Sequence, residues 1–529
     1  MRRPPDRASN PREGVVRAAS NWPDVRAYRS GACFALIACL MTCSTARAAD
    51  VDPLAIFAKH TAAVGYSLSD GRAKPYMLES ASIDRDTGKT NVNHHEQAGA
   101  YFRNTYTRNG RSSGWGFDGH GFWIQNRNGN VLYELGLGLQ YDIAWAVIGA
   151  ESFGPELSPE MMSATANDYV VRIHPASAMP ADVYFNKSTY LIDRAVVNPA
   201  GVPETVDYGD YRRNGPVMVA MTVTSGETVS KVTKFEWDAP LPAADFDVPA
   251  RRSYASFPPT GSSAVPFDDK RDSIAFDATV NGVKGHFVLD TGADGVYLTP
   301  AFAAKAHLTP LDTTSGISVG GQFGLAATRI GHFKIGDVDL SDFYAWIGSK
   351  GDVDGYVGYD VLAQVVCDVD FDKKQLTLTN PAVYAGDPKR GALVVALDNF
   401  TPEIQALVNT KRQVFMTLDT GDGSSMTFFR TFVDQNPGIV ARGAEARFVG
   451  AGGETQSGYI GTLDEIDIGP YKFFGLEADV LGGFSGLATS RLRQGLIGYQ
   501  MLRRFDLTFD YAENKVYLGL SKYGNETKF

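Results

Sequence analysis

Apolar and polar residues alternate along most of the chain after residue 50, but one short segment near the start has helical spacing instead. We predict a helix there, with Asp52 as its N-cap, Pro53 at the first helical position and Gly65 at its end. Its apolar face consists of Leu54, Ile56, Phe57 and Val64.

The alternating segments that follow, among them GFWIQ, DYVVRI, VMVAMTV and VTKFEW, are typical of strands with one face buried. Turn signals such as Asn128-Gly129 and Asn214-Gly215 separate them. The pattern predicts a meandering antiparallel sheet that ends near Val248, and we assign residues 49–250 to an N-terminal β-rich domain.

A segment rich in Ser, Pro and Gly, residues 251–266, predicts a linker, and the chain beyond it repeats itself. The segment VGYDVLAQVVCDVDF in the first block aligns without a gap with IGYQMLRRFDLTFDY in the second. Matching pairs are Gly358 and Gly498, Tyr359 and Tyr499, Leu362 and Leu502, and Asp370 and Asp510. Two copies predict a pseudo-twofold pair of lobes, residues 267–382 and 383–529, because a solenoid requires more repeats.

In each block an apolar strand ends in Asp-Thr-Gly, which begins at Asp290 in the first block and at Asp419 in the second. A single such motif is explained well enough as a turn. Two copies at matching positions predict that the twofold axis brings the two carboxyl groups together. Two adjacent carboxyl groups cannot both ionise cheaply, so they hold one proton between them and can act as base and acid at once.

A glycine-rich segment follows each motif, Gly316–Gly321 in the first block and Gly450–Gly453 in the second. Each lies between strand-like segments, as the tip of a hairpin would. Such hairpins can cover a carboxyl pair and hold an extended peptide, with Gly320, Gly321, Gly452 and Gly453 as the residues nearest the substrate. An ordinary glycine-rich loop explains the same pattern equally well.

These motifs resemble the retropepsin-like aspartic proteases, in the bacterial two-lobed single-chain form. The resemblance rests on Val288–Ala293 and Thr417–Gly421, on the two glycine-rich segments, and on Tyr356-Val357-Gly358 and Leu496-Ile497-Gly498. It covers about half of the chain and implies a mainly β fold, with tandem β lobes that form a pseudo-twofold bilobal domain. It implies that Asp290 and Asp419 are catalytic, and that Thr291, Gly292, Thr420 and Gly421 support them.

Asp422 departs from the family pattern, because Ala, Ser or Thr is usual at that position. A third carboxylate beside the pair would raise its proton affinity unless the side chain turns to solvent. The first hypothesis is therefore an aspartic endopeptidase, which needs no cofactor or metal and takes a peptide or protein substrate. The alternative is an inactive lobe pair that binds a peptide or lipid without cleaving it.

The N-terminal domain resembles the half-barrel of bacterial lipoprotein carriers in its layout of one helix followed by many strands. That layout implies an antiparallel sheet whose concave face can take a lipid or a hydrophobic peptide. A third hypothesis makes this lipid carrier the main function, with the lobes as its scaffold. Four aromatic residues in this domain are consistent with either a ligand groove or, more simply, a core: Trp115, Phe117, Phe122 and Trp123. We interpret His94-His95-Glu96 as a solvated loop rather than a metal site, because adjacent histidines on a strand point to opposite sides.

Composition and the N-terminal segment indicate an exported protein. The first 48 residues have scattered arginines, a short apolar run and a small-residue cleavage site at Ala46-Arg47-Ala48, which predicts a signal peptide and a periplasmic or secreted location. Lipoprotein anchoring at Cys39 is the second interpretation. The formal net charge of -10 argues against a nucleic-acid partner. Beyond the signal only Cys367 remains, and we expect it to be a buried strand cysteine. We also expect a monomer with an internal pseudo-dimer.

Overall fold

The computed structural model describes residues 51–65, 74–84, 90–108, 111–197, 204–226, 228–318, 321–451, 453–482 and 493–524. The predicted signal peptide, including Cys39, lies outside these residues. Among them, no helix is both long and apolar enough to span a membrane.

The N-terminal domain is one antiparallel sheet of thirteen strands within the described residues. Its strands run in the order β6-β5-β4-β3-β2-β1-β13-β12-β11-β10-β9-β8-β7. They are β1 Tyr76–Asp84, β2 Thr90–Ala98, β3 Tyr101–Arg108, β4 Arg111–Phe117, β5 Phe122–Gln125, β6 Val131–Tyr133, β7 Glu160–Ala164, β8 Asp168–Ile173, β9 Ala181–Asn186, β10 Ile192–Val197, β11 Glu204–Asn214, β12 Val217–Ser225 and β13 Thr228–Trp237.

Two helices pack against this sheet, α1 Pro53–Val64 and α2 Gly136–Gly149. The predicted helix is confirmed as α1: the Asp52 carboxylate accepts a hydrogen bond from the Leu54 N–H, and Gly65 closes the helix with a left-handed φ of 96°. The structure adds α2, whose sequence GLGLQYDIAWAVIG is apolar on most sides and carries three glycines. It therefore lacks the polar face and the helix-forming composition by which a surface helix is recognised in a sequence.

One interpretation of the N-terminal domain needs correction. His94-His95-Glu96 lies inside strand β2, not in a loop, and each histidine has its own neighbours. His95 hydrogen-bonds to Asn104 and Gln97, whereas His94 faces Glu79. Of the aromatic set, Phe122 and Trp123 are core residues, whereas 43% of the Trp115 surface is exposed.

The first lobe carries eleven strands and two short helices within the described residues. They are β14 Ala255–Ser256, β15 Ser262–Asp268, β16 Ile274–Val280, β17 Val283–Leu289, β18 Val296–Leu298, β19 Asp312–Ser318, β20 Gly321–Ile335, β21 Val338–Ile347, β22 Gly355–Val357, β23 Val366–Asp370 and β24 Gln375–Thr379, with α3 Pro300–Lys305 and α4 Tyr359–Leu362.

The second lobe repeats this plan. Its elements are β25 Gly391–Val394, β26 Ala396–Asp398, β27 Thr401–Val408, β28 Arg412–Leu418, β29 Met426–Phe429, β30 Ala441–Val449, β31 Thr455–Ile468, β32 Tyr471–Leu481, β33 Gly495–Ile497, β34 Phe505–Asp510 and β35 Lys515–Leu520, with α5 Arg430–Gln435 and α6 Tyr499–Leu502. The fold is thus mainly β, with two matching lobes behind an antiparallel β domain.

A shared sheet joins the two lobes at their base. Strands β15, β24 and β23 of the first lobe continue into β34, β35 and β25 of the second, and β23 pairs with β34 in antiparallel register. Strands β23 and β34 hold equivalent positions in the two repeats, so this pairing lies at the pseudo-twofold axis. Cys367 is a free thiol, fully buried in β23, as a strand cysteine of the core would be.

The predicted linker, residues 251–266, packs onto the first lobe instead of running free. Tyr254 is buried and stacks on Phe343 with ring centroids 5.5 Å apart. Strand β14 pairs with β21, and β15 pairs with β24. The Ser, Pro and Gly content matches the turns between these short strands, and the buried Tyr254 ring is what anchors the segment.

The turn between β5 and β6 fastens the N-terminal domain to the first lobe. Asn126 and Asn130 each donate a side-chain hydrogen bond to Asp360 Oδ1, at 2.8 and 2.9 Å. The Asn130 amide also donates to the Tyr254 hydroxyl at 2.9 Å and accepts from Gln364 at 2.7 Å. Asn130 and Asp360 are both buried, so these bonds replace water that neither group can reach.

We predict that Asn130→Ala lowers the stability of the junction by about 3 kcal/mol, because the buried Asp360 and Gln364 side chains each lose a partner. The measurement is the urea-unfolding midpoint of the intact protein. The matched control is Asn91→Ala, which removes the same group from an exposed position on β2. Equal midpoints for the two variants would contradict the prediction.

Candidate active site

The two Asp-Thr-Gly turns meet at the seam between the lobes. Strands β17 and β28 end at Leu289 and Leu418, directly before the two aspartates. Each aspartate is held at its backbone by the short strand beside it: Asp290 N–H donates to Val357 C=O and Asp419 N–H to Ile497 C=O, both at 2.9 Å. The two turns therefore occupy equivalent positions in their lobes.

The threonines of the two turns exchange hydrogen bonds across the seam. The Thr291 hydroxyl donates to Leu418 C=O at 2.6 Å, and the Thr420 hydroxyl donates to Leu289 C=O at 2.7 Å. Each hydroxyl also accepts from the opposite threonine N–H, at 3.0 and 3.1 Å. Both threonines are buried, so four hydrogen bonds fix one turn against the other without help from solvent.

The glycines let the opposite carboxyl group approach. A Cβ atom at Gly292 would lie 2.5 Å from the Asp419 Cγ, and one at Gly421 would lie 2.4 Å from the Asp290 Cγ. No side chain fits in that space, so glycine is required at both positions by contact with the partner lobe. The structure thus places Thr291, Gly292, Thr420 and Gly421 around the two aspartates.

The Asp290 and Asp419 carboxyl groups lie within hydrogen-bonding reach of each other. Gly292 N–H donates to Asp290 Oδ1 at 3.0 Å, and Gly421 N–H donates to Asp419 Oδ1 at 2.9 Å. Burial in the cleft is the main cause that raises the pKa of both carboxyl groups, and the Asp290 charge raises the pKa of Asp419 further. Because ionising both would put two charges side by side, each carboxyl group opposes ionisation of the other.

Asp422 turns its side chain away from this pair. Its carboxylate accepts hydrogen bonds from the Ser424 N–H at 3.0 Å, from the Ser424 hydroxyl at 2.9 Å and from the Thr427 hydroxyl at 2.8 Å. Its own N–H donates to Asp419 Oδ1 at 3.1 Å. The third carboxylate is therefore satisfied outside the pair, although its charge still raises the pKa of Asp290 and Asp419.

The strands that flank the glycine-rich segments form two hairpins, β19–β20 and β30–β31, which contact each other. The Ser318 hydroxyl donates to Glu454 Oε2 at 3.1 Å, and Lys350 N–H donates to Ala451 C=O at 3.2 Å. Gly321 begins β20 and Gly453 precedes β31, whereas Gly320 and Gly452 lie outside the described residues.

Side chains to which the sequence assigned no role lie on the strands beside the pair. Arg493 is buried beside β28, where it donates to the Thr417 hydroxyl at 3.0 Å and pairs with Glu403 at 2.8 Å. Tyr297, Tyr356 and Asp479 face away from the lobe cores, on strands next to the two turns. Strict alternation in the strands is the signal that could have found them, because their neighbours Val296, Val357 and Val480 are fully buried. Within the described chain, no group of three or more His, Cys, Asp or Glu residues is arranged to hold a metal ion.

The two lobes match a known protein family. The model for the aspartyl protease family matches residues 276–361 and again residues 404–501, so each lobe has its own match. Both segments contain one Asp-Thr-Gly turn and end in the short helix after it. The resemblance to the retropepsin-like aspartic proteases is therefore confirmed for these two segments. No curated protein matches the sequence.

Several solved structures align with part of the chain. The aspartic proteinase of Irpex lacteus aligns over 51% of this chain and 100% of its own, with 12% identity and a TM-score of 0.35. A retropepsin-like aspartic protease from Rickettsia conorii aligns over 23% of this chain and 90% of its own, with 20% identity and a TM-score of 0.18. A LolA superfamily protein from Nitrosomonas europaea aligns over 37% of this chain and 98% of its own, with 13% identity and a TM-score of 0.29.

We predict that Asp422→Asn shifts the acid limb of any pH–rate profile of this site to lower pH, by about 0.5 unit. The negative charge of Asp422 opposes ionisation of the pair, so removing it lowers their pKa values, and the pair then takes up its second proton only at lower pH. The control is Asp434→Asn on α5, a half-exposed carboxylate paired with Arg430. A shift to higher pH, or the same shift in the control, would contradict the prediction.

Proposed function

We propose that this protein is an exported aspartic endopeptidase that hydrolyses peptide bonds with a water molecule activated by Asp290 and Asp419. The observation that carries the proposal is the pair of carboxyl groups held in hydrogen-bonding reach across the seam by threonines from both lobes. The export part of the proposal depends on the predicted signal peptide, and cell fractionation that finds the protein in the cytoplasm would contradict it.

The shared proton determines what each carboxyl group does. The ionised member takes a proton from a water molecule, whose oxygen attacks the carbonyl carbon of the peptide. The protonated member donates its proton to the carbonyl oxygen, which gives a tetrahedral intermediate. When the carbon–nitrogen bond breaks, the member that took the water proton donates it to the leaving nitrogen. The other member takes a proton back from a hydroxyl group of the intermediate as the carbon–oxygen double bond of the acid product forms, so the pair again holds one proton.

The two hairpins supply the binding surface in this proposal. An extended peptide lies between them and the carboxyl pair, with its backbone hydrogen-bonded to the hairpin strands. The contact between Ser318 and Glu454 closes the cleft above it and excludes water. Gly320, Gly321, Gly452 and Gly453 remain the proposed contacts at the tips. Both halves of the site come from one chain, so we propose that a monomer is sufficient.

The decisive experiment compares peptide hydrolysis by the wild type, Asp290→Asn and Asp419→Asn. We expect each variant to lose at least about 1,000-fold in kcat/KM, since asparagine can neither take nor give the proton. Each variant should fold at least as well as the wild type at neutral pH. Burial raises the pKa of both aspartates, so ionising them costs stability as pH rises, and asparagine avoids that cost. The control is Asp277→Asn, whose side chain is 90% exposed. Unchanged activity in both site variants would reject the proposal.

The second candidate function is capture of a lipid or hydrophobic peptide by the N-terminal domain. A row of partly exposed aromatic rings on its sheet favours it: Tyr76 lies 5.6 Å from Phe235 and from His95, and 6.5 Å from Trp237, between ring centroids. We expect a fluorescent fatty acid to bind the intact protein, and Phe235→Asp to weaken binding at least about tenfold by placing a charge among the rings. The same affinity for Phe235→Asp, or no binding at all, would reject this second function, and Asp419→Asn serves as the matched control.

A further inference from the structure

The two lobes present equivalent walls beside the carboxyl pair, and strand register identifies the matching residues. In the first lobe, Tyr297 of β18 pairs with Tyr356 of β22 and with Trp346 of β21. In the second lobe, Thr427 of β29 pairs with Leu496 of β33 and with Asp479 of β32. The equivalent pairs are thus Tyr356 and Leu496, Tyr297 and Thr427, and Trp346 and Asp479.

Leu496 and Thr427 are buried, whereas Tyr297, Tyr356, Trp346 and Asp479 are half-buried and face away from the lobe cores. Their strand neighbours Val296, Val357, Ala478 and Val480 are buried core residues, so the paired residues lie on the opposite face of each sheet. The Tyr356 hydroxyl donates to Lys350 C=O at 3.3 Å, and Lys350 N–H contacts the tip of the second hairpin. Leu496 packs with Phe429, Leu481 and Phe448, and Phe448 belongs to that hairpin. Both walls therefore lie under the hairpins.

The first-lobe wall is aromatic, and the N-terminal domain completes it. Tyr297, Tyr356 and Trp346 are all half-buried, so their rings keep surface that a ligand can contact. The Arg127 guanidinium, from the turn between β5 and β6, lies 4.9 Å from the Trp346 ring centroid and 5.2 Å from that of Tyr344. A flat, polarisable surface of this kind stacks well on aromatic or other large apolar side chains.

The second-lobe wall is polar at the equivalent positions. Leu496 and Thr427 are buried, and the Thr427 hydroxyl is already bonded to Asp422, so Asp479 is the half-buried member that a ligand can reach. Where the first lobe has an indole, the second lobe has a carboxyl group. A cationic side chain is the natural partner of a carboxylate in such a setting.

We propose that the cleft selects peptides with an aromatic or large apolar side chain against the first lobe and a lysine or arginine side chain against Asp479 of the second lobe. This inference depends on the proposed endopeptidase function. It assigns the two sides of the cleft different chemistry, although the lobes share one fold.

Because Asp479 titrates, we expect the preference for a basic side chain to depend on pH. Burial raises the pKa of Asp479 to about 7, and the negative charges of Asp422 and Glu477 add to the effect. Asp422 comes from the turn after Asp419, and Glu477 precedes Asp479 on β32. The carboxyl group is therefore partly neutral near pH 7 and gains charge as pH rises, so its attraction for a cation grows in the same direction. A bound cation would in turn favour the charged form.

The test is cleavage of a fluorogenic peptide library by the intact protein at pH 6 and at pH 8. We expect basic residues to be enriched on one side of the cleavage point and aromatic residues on the other. Enrichment of basic residues should be greater at pH 8. Asp479→Asn should reduce kcat/KM for a Lys-containing peptide about tenfold and leave its neutral norleucine analogue within twofold. The exposed Asp277→Asn serves as the charge control.

The outcomes separate this inference from the proposed function. Cleavage without a basic preference, or an equal loss on both peptides in Asp479→Asn, would overturn the inference and leave the endopeptidase intact. The substitution Tyr356→Leu tests the first-lobe wall in the same library. We expect this variant to lose the preference for aromatic side chains and to keep the preference for Lys. If no peptide in the library is cleaved, the proposed function fails and the inference fails with it.

Discussion

The whole site depends on contact between two turns that belong to different lobes. Thr291 and Thr420 bind the backbone of the opposite strand, and Gly292 and Gly421 leave room for the opposite carboxyl group. Neither lobe can satisfy these groups alone, because the acceptors of its threonine lie in the other lobe. The exchange of hydrogen bonds therefore sets the separation of the lobes, and that separation determines how closely the two carboxyl groups approach. Their raised pKa values follow from the same geometry, since the turns that bring them together also shield them from water.

The two lobes have diverged where the N-terminal domain attaches. Asp360 and Gln500 hold equivalent positions, two residues after Gly358 and Gly498. Asp360 is buried and bound by Asn126 and Asn130 of the N-terminal domain, whereas Gln500 donates to Asp272 in an exposed contact. The Asp360 carboxyl oxygen also lies 2.9 Å from the place of a Cβ on Gly295, in the loop that follows Asp290. The N-terminal domain thus packs against the back of one half of the site, and the same turn presents Arg127 to Trp346. This domain is a structural neighbour of the cleft, not a separate module on a linker.

The sequence revealed features that are encoded locally and missed those that depend on distant pairing. The cap at Asp52, the stop at Gly65 and both Asp-Thr-Gly turns are each contained in a few residues, and their placement follows from backbone chemistry alone. The prediction of a linker at residues 251–266 was wrong. The Ser, Pro and Gly residues of this segment do indicate turns, but they give no sign that Tyr254 is buried against Phe343. The cleft walls were missed for a related reason. Tyr297 and Trp346 lie 49 residues apart, and only the register of β18 against β21 places them side by side.

Asp422 shows how a departure from a family pattern can have a role outside the reaction. From the sequence we expected its carboxylate to interfere with the pair, because a third negative charge at that position would raise the pKa of both Asp290 and Asp419. Three hydrogen bonds from Ser424 and Thr427 instead fix the carboxylate on the side of β29, within electrostatic range of Asp479. The hydrogen bonds that hold the Asp422 carboxylate away from the pair therefore also place its negative charge near Asp479, on the second-lobe wall. Ala293 occupies the equivalent position in the first lobe, where the wall is aromatic and the next residue, Asp294, accepts a hydrogen bond from the Tyr297 hydroxyl at 2.5 Å. Asp422 in the turn and Asp479 in the strand beside it thus account for the acidic character of the second wall, because the Thr427 hydroxyl binds Asp422 and Thr427 pairs with Asp479 across the strands.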